Sequence, residues 1–238
     1  MSRHFDAIIT NSEATGRSMR GYLHVRGFQR QPLFRVAFTG ATTLRRVAGK
    51  MQLPDRPYFV MLGTIEPRKN HLLMLHLWAR FAEEIPDPPL LVLVGARGWE
   101  NEQIVDMLER SVRLRGLVIE LNRMDDRELG PLLASARALL QPSFAEGFGL
   151  PVAEALSLGV PVLCSDLPAL REVGVDVPEF LDPMSINAWR EAVLAYASCP
   201  SSRRLHQLQR LDRWKAPTWQ GHFRVVEDVL DALAAQTG

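Results

Sequence analysis

From residue 58 onward the chain alternates short, wholly apolar runs with longer segments of helical periodicity. The apolar runs fall at 58–63 (YFVMLG), 90–95 (LLVLVG), 117–121, 138–141 and 160–164, with a sixth short one at 179–181. Between them the pattern predicts helices over 70–84, 101–115, 125–136 and 151–158, the third opened by a capping box at Asp125–Glu128. A strand that is apolar at every position is buried on both faces. Strands alternating with helices make a parallel sheet with right-handed crossovers. The expected fold class is therefore α/β, a Rossmann-like doubly wound parallel sheet over 58–182.

The flanks read differently. DAIIT at 6–10 predicts a short strand, and Ser12 caps a helix to about Leu23, its hydroxyl accepting one of the free first-turn N–H groups. From 27 to 57 only 34–38 reads as extended, and Gly40, Gly49, Pro54 and Pro57 interrupt the rest, so this stretch reads as a linker rather than a packed unit. Helices are predicted over 185–197, 201–213 and 218–235. The last carries an apolar stripe at Phe223, Val226, Val229, Leu230 and Leu233 that must lie on something.

Composition narrows the classes. Of the 238 residues, 47% are hydrophobic and 23% charged, ordinary values for a globular chain. Net charge is +1, which gives no chain-wide case for a nucleic-acid partner. The distribution is uneven: residues 1–50 carry net +7 and the remainder −6. Cys164 and Cys199 stand in no metal-binding spacing and the six His form no ligand cluster, so no metal site is expected. No signal-peptide pattern opens the sequence and its longest low-charge run is broken by Pro and Glu. The expected location is the cytoplasm, with peripheral contact at the inner membrane face left open.

In an open parallel sheet, ligands bind beyond the carboxyl ends of the strands. Three loops there draw attention: 63–70 (GTIEPRKN), 95–99 (GARGW) and 143–151 (SFAEGFGLP). In the third, Gly147 and Gly149 let the backbone approach a ligand, and Pro151 marks a helix start whose free N–H groups favour a phosphate. Glu146 lies in that loop and Glu154 in the first turn expected after it. Two carboxylates beside an anion site suit sugar hydroxyls. Taken singly, Glu154 reads rather as a helix-dipole partner and Glu146 as a solvated loop charge. Arg68 and Lys69 offer a fork and a point charge suited to a diphosphate, or else form a solvated pair. G-x-G-x-x-G after a strand, the P-loop, G-x-S-x-G and H-E-x-x-H are all absent from the sequence.

These motifs together, G-T-x-x-P-R-K-N, G-x-x-G-W and P-S-F-x-E-G-F-G-L-P-V-x-E-A, with L-G-V-P-V at 158–162, R-E-V-G at 171–174 and a late Thr218-Trp219, resemble the donor-binding half of family 4 retaining glycosyltransferases of the GT-B fold. The resemblance covers roughly 55–238 and is nearest to mannosyltransferase-type members. It implies Glu146 at the transferred sugar, Glu154 at the nucleotide ribose, and Arg68 and Lys69 on the diphosphate. It also implies that Gly63 and the backbone of Gly147, Phe148, Gly149 and Leu150 line the donor site, with Arg123 and Met124 bordering the base. The donor would be a nucleotide-diphosphate sugar, used without cofactor or required metal, and the acceptor a sugar or lipid-linked glycan hydroxyl.

Two departures bear on that reading. The loop at Asn122-Arg123 lacks the glycine usual in the family. Only 6–23 resembles the family's N-terminal Rossmann domain, namely its last strand and helix. The expected division is thus a remnant plus linker at 1–54, a nucleotide-sugar-binding domain at 55–215, and a C-terminal helix at 216–238 crossing back to the N-terminal domain. The missing domain or a second chain is an expected partner, and the first fifty residues are expected to be loosely held or packed by another copy or chain. A non-catalytic nucleotide-sugar-binding module and a nucleotide-sugar epimerase of the same fold are the alternatives.

Overall fold

The structure, a computed structural model, describes residues 5–28, 32–42, 44–45 and 56–237. Near the N-terminus β1 (Ala7–Thr10) and β2 (Leu33–Val36) form a small parallel pair joined by α1 (Glu13–Val25), in the register Ala7 to Leu33 and Thr10 to Val36. Six further strands make one wholly parallel sheet: β3 (Tyr58–Leu62), β4 (Leu90–Val94), β5 (Val118–Leu121), β6 (Ala138–Gln141), β7 (Val162–Ser165) and β8 (Glu179–Leu181). Their spatial order is β5-β4-β3-β6-β7-β8.

The helices between them are α2 (His71–Glu84), α3 (Glu102–Arg110), α4 (Asp126–Ala134), α5 (Leu150–Ser157) and α6 (Pro168–Gly174). Next come α7 (Ile186–Ala197), α8 (Ser202–Leu211) and α9 (Trp219–Thr237). All five residues of β3 are buried, because the pleat sends alternate side chains into two separate cores. Tyr58, Val60 and Leu62 face the layer of α5 and α6, while Phe59 and Met61 face the layer of α2 and α7. In α2 the core face is Met74, Leu75, Trp78 and Phe81, at helical spacing, and the Trp78 indole N–H is satisfied by Pro89 O at 2.8 Å.

The chain leaves β3 for β4 on one side and later enters β6 on the other. The gap between β3 and β6 is the topological switch point, where a crevice opens beyond the strand ends. Gly95 shows how tightly those ends pack: a Cβ there would stand 2.0 Å from the Gly63 carbonyl oxygen.

Several expectations need correction. Residues 32–42 are not linker. Leu33–Val36 pairs with β1, Ala41 N–H donates to Pro217 O at 3.0 Å, and Gly40 lies flat against Trp219. The described part of the first fifty residues is held by the rest of the chain: α1 packs on α6 and α9 runs across the end of β2. Positions 46–55 of the expected linker lie outside the described residues. The stripe on α9 is partly covered, with Val229 buried while Phe223 and Leu230 stay exposed. The helix expected over 101–115 ends at Arg110, and a 3-10 turn follows at Val112–Leu114. Helix α5 starts at Leu150, so Glu154 is its fifth residue, beyond the first turn. The helix dipole falls off within that turn, which weakens the purely helical account of Glu154.

Candidate functional site

The loop after β3 and the loop after β6 face each other across the switch point and are stitched together. Phe144 N–H donates to Arg68 O at 2.9 Å, and the Asn70 amide donates to Pro142 O and Pro183 O at 3.1 and 3.0 Å. Asn70 manages this from a left-handed conformation (φ 58°, ψ 38°), which Asn tolerates better than most residues. These bonds bring the predicted Arg68, Lys69 and Glu146 into one cluster.

Lys69 Nζ lies 2.6 Å from Glu146 Oε1, and Arg68 Nη1 lies 3.2 Å from Glu146 Oε2. Gln141 Nε2 and Ser143 Oγ each donate to the same Oε1 at 2.7 Å. Burial alone would raise the Glu146 carboxyl. The Lys69 charge and hydrogen bond, the Ser143 hydroxyl and the Arg68 charge outweigh it and hold the carboxyl below its ordinary value. Glu146 is therefore a carboxylate at neutral pH. Arg68 is steered from its other side by Glu66 at 2.5 Å, and Glu66 is itself held by the Trp99 indole at 3.0 Å. Gly63 gives the Lys69 stem its room, since a Cβ there would stand 3.3 Å from Lys69 Cε. His71 lies beneath this loop. Burial lowers its pKa to about 4, opposed by the Glu66 backbone and carboxylate and assisted by Lys69, so the ring is neutral.

Arg68, Lys69, Glu146, Gly147, Phe148, Gly149, Leu150 and Pro151 line a cleft of about 510 Å³, closed from the N-terminal side by Asn11 and Thr39. Gly149 (φ 100°, ψ 49°) is the N-cap of α5. Among the described residues no acceptor meets the N–H groups of Gly147, Phe148, Gly149 and Leu150. Unpaired N–H groups, a helix start and two cations together favour an anion. A larger cavity of about 740 Å³ opens between Phe38, α6 and α8. It holds none of the predicted residues, and its Arg210 is engaged by the carbonyls of Asp176 and Val177. The smaller cleft, at the switch point, gathers Arg68, Lys69 and Glu146.

Glu154 does not line that cleft. Burial and the nearby Asp126 raise its carboxyl, and a hydrogen bond from Thr42 lowers it; burial dominates. Arg123 and Met124 are likewise not brought to the Lys69 cluster. They follow β5, two strands from β3, with Arg123 exposed and Met124 half-buried against the core. Glu154 and this loop instead share a neighbourhood through Asp126. Sequence reasoning missed Gln141, Glu66 and Thr42. Gln141 had a signal: a polar residue ending an otherwise apolar, fully buried strand. Among the described residues no three His, Cys, Asp or Glu side chains gather as metal ligands, and no helix is long and apolar enough to cross a membrane.

Strand order and site together define the Rossmann-like class of domain found in GT-B glycosyltransferases. The family model for glycosyl transferases group 1 matches residues 48–208, and the chain belongs to that family. It is 36% identical over 174 residues to O-antigen chain mannosyltransferase B of Escherichia coli, covering 73% of this chain and 45% of that protein. It is 30% identical over 148 residues to O-antigen chain mannosyltransferase RfbU of Salmonella typhimurium, covering 61% and 40%. The fold matches sucrose-phosphate synthase of Thermosynechococcus elongatus (TM-score 0.70, 22% identity, 98% of this chain and 60% of that one). It also matches Anabaena HepE in complex with UDP and glucose (TM-score 0.75, 16% identity, 96% and 64%). The chain thus spans under half the length of these curated relatives.

Proposed function

We propose that this chain supplies the donor-binding half of a retaining hexosyltransferase, taking a nucleotide-diphosphate sugar and passing the hexose to a sugar or lipid-linked glycan hydroxyl. The observation that carries the reading is the cluster at the switch point: Arg68 and Lys69 beside the unpaired N–H groups that open α5, with ionised Glu146 between them. A diphosphate leaving group gains negative charge as the glycosidic bond breaks. Two cations and a fixed set of N–H dipoles stabilise that charge in place. Glu146 accepts hydrogen bonds only, so it suits a hydroxyl of the transferred sugar rather than the phosphate. Glu154, Asp126 and the loop at 122–124 flank the far end, where a ribose diol and base would lie.

No divalent metal is required in this reading, because protein cations carry the countercharge. The acceptor wall belongs to a further domain or a second chain, and contact with the inner face of a membrane would come with a lipid-linked acceptor. Names of the relatives favour mannose as the hexose. The test is calorimetry with GDP, UDP and ADP in the presence of chelator. Binding of at least one is expected; strict magnesium dependence, or no binding of any, overturns the site as drawn.

A further inference from the structure

We propose that Asn11 reads a hydroxyl of the transferred sugar, and that Ser12, Thr15 and Glu172 are positioning residues that hold it over the cleft. The inference rests on the donor-site reading above and extends it to the N-terminal segment.

Asn11 is the first residue after β1 and lines the cleft together with Lys69, Glu146 and Gly147. Its Oδ1 is sealed from solvent and meets no donor. A buried polar atom of a folded chain nearly always has a partner, so Oδ1 wants a donor; Asn11 as a residue is only half-buried, and turning its amide presents that oxygen to the cleft it lines. An amide oxygen only accepts. Phosphate oxygens at neutral pH also accept, so the diphosphate does not fill the vacancy, whereas a sugar hydroxyl donates and does. The amide faces the bare Cα of Gly147: Nδ2 and Oδ1 lie 3.6 and 3.9 Å from where a Cβ would stand. Gly147 follows Glu146 directly, and Asn11 lines the same cleft as the carboxylate assigned to the sugar.

Four hydrogen bonds hold the residues that follow Asn11. Ser12 Oγ and Thr15 Oγ1 both donate to Gly147 O, at 2.6 and 3.0 Å. The Glu172 carboxylate, on α6, accepts from the N–H groups of Glu13 and Ala14 at 2.6 and 2.9 Å, capping α1 from another element. The Ser12 and Thr15 bonds also set the peptide that follows Gly147. In a trans peptide the carbonyl and N–H point opposite ways, so drawing Gly147 O toward α1 fixes the direction of the Phe148 N–H, one of the unpaired donors.

The experiment compares wild type, Asn11→Ala and Glu172→Ala by calorimetry with the pairs GDP and GDP-mannose, UDP and UDP-glucose, ADP and ADP-glucose. For whichever pair wild type binds, Asn11→Ala should weaken the sugar conjugate about three- to ten-fold and leave the diphosphate within about two-fold. Its melting temperature should not fall, because Oδ1 has no intramolecular bond to lose. Glu172→Ala should show the same selective loss, with faster hydrogen exchange at Glu13 and Ala14. Equal losses for both ligands, no loss for either, or a lowered melting temperature for Asn11→Ala overturns this inference and leaves the donor site standing. A wild-type chain that binds none of the six ligands overturns both.

Discussion

Lys69 and Glu146 are 77 residues apart in the chain, yet Lys69 Nζ and Glu146 Oε1 stand 2.6 Å apart with side chains only 11% and 7% exposed. The pair closes the loop after β3 onto the loop after β6 and ties the two sides of the switch point together. Neither charge is left to itself: Arg68, Gln141 and Ser143 also reach the carboxylate. Burial of an ion pair at this depth costs desolvation that the pair alone need not recover. The extra donors make the arrangement tolerable, and its place beside the α5 N-terminus gives it a use.

Lys69→Met should therefore lower stability at neutral pH by about 1–3 kcal/mol, since Glu146 loses its nearest countercharge while keeping three other donors. The pH dependence has a definite sign. A carboxyl held low in the folded state stabilises above its unfolded pKa, and that stability drains away as pH falls through the folded value. In Lys69→Met the folded value rises, so acid unfolding should begin at higher pH than in wild type. Urea unfolding across the acid range measures both effects.

Glu154 should behave in the opposite way. Its carboxyl is raised, chiefly by burial and then by Asp126, against the Thr42 hydrogen bond. The folded chain then takes up this proton at higher pH than the unfolded chain, so ionised Glu154 costs stability at neutrality and the cost vanishes as pH falls below the unfolded value. Glu154→Gln should be more stable than wild type at neutral pH, by less than about 1 kcal/mol after solvent screening, and equal to it in acid. The same variant should bind a nucleoside diphosphate more weakly, because a carboxylate accepts two hydrogen bonds from a ribose diol and an amide oxygen fewer. Melting curves and calorimetry on one preparation test the pairing of gain and loss.

The sheet was legible in the sequence because its strands are apolar at every position, a pattern that only a doubly covered parallel sheet requires. Arg68, Lys69 and Glu146 were legible as chemistry because they sit in loops that such a sheet sends to one edge. What the sequence hid is long-range. Nothing local marks Leu33–Val36 as the partner of β1: 34–38 reads as extended, but so short a run does not name its neighbour. Glu66 falls at a variable position of G-T-x-x-P-R-K-N, yet it steers Arg68 and takes the Trp99 indole. The distance of Arg123 and Met124 from the Lys69 cluster was hidden for a related reason: strand order, which puts β5 two strands from β3, is not written in the motif that contains them.

Two of the charged groups on the cleft, Arg68 and Glu146, should separate by ligand. Arg68 is held at Ala145 O and Glu66 with part of its guanidinium facing solvent, ready for a phosphate oxygen. Arg68→Ala should weaken nucleoside diphosphate and nucleotide sugar alike, about ten-fold, from the loss of charge-assisted hydrogen bonds. Glu146→Gln should spare the diphosphate and weaken the sugar conjugate. Calorimetry of both variants with both ligands decides it, and equal losses in all four titrations would remove the division of roles.

Gly147 and Gly149 flank Phe148 in one loop, but substitution should affect them differently. Gly149 has φ 100°, and a Cβ on it would stand 2.5 Å from Leu170 Cδ2. Backbone strain and the clash add, so Gly149→Ala should cost about 1–3 kcal/mol and displace the N-terminus of α5. At Gly147 the new methyl would meet Asn11 and Thr15 at 3.6–3.7 Å, ordinary contact distances, with no positive φ to oppose it. Gly147→Ala should therefore melt with wild type. Its methyl nonetheless fills the space between Asn11 and the loop, where the sugar is placed, so affinity for the nucleotide sugar should fall while the diphosphate is retained. A Gly147→Ala chain as unstable as Gly149→Ala, or one that binds the sugar conjugate normally, would show that this space is packing and not site.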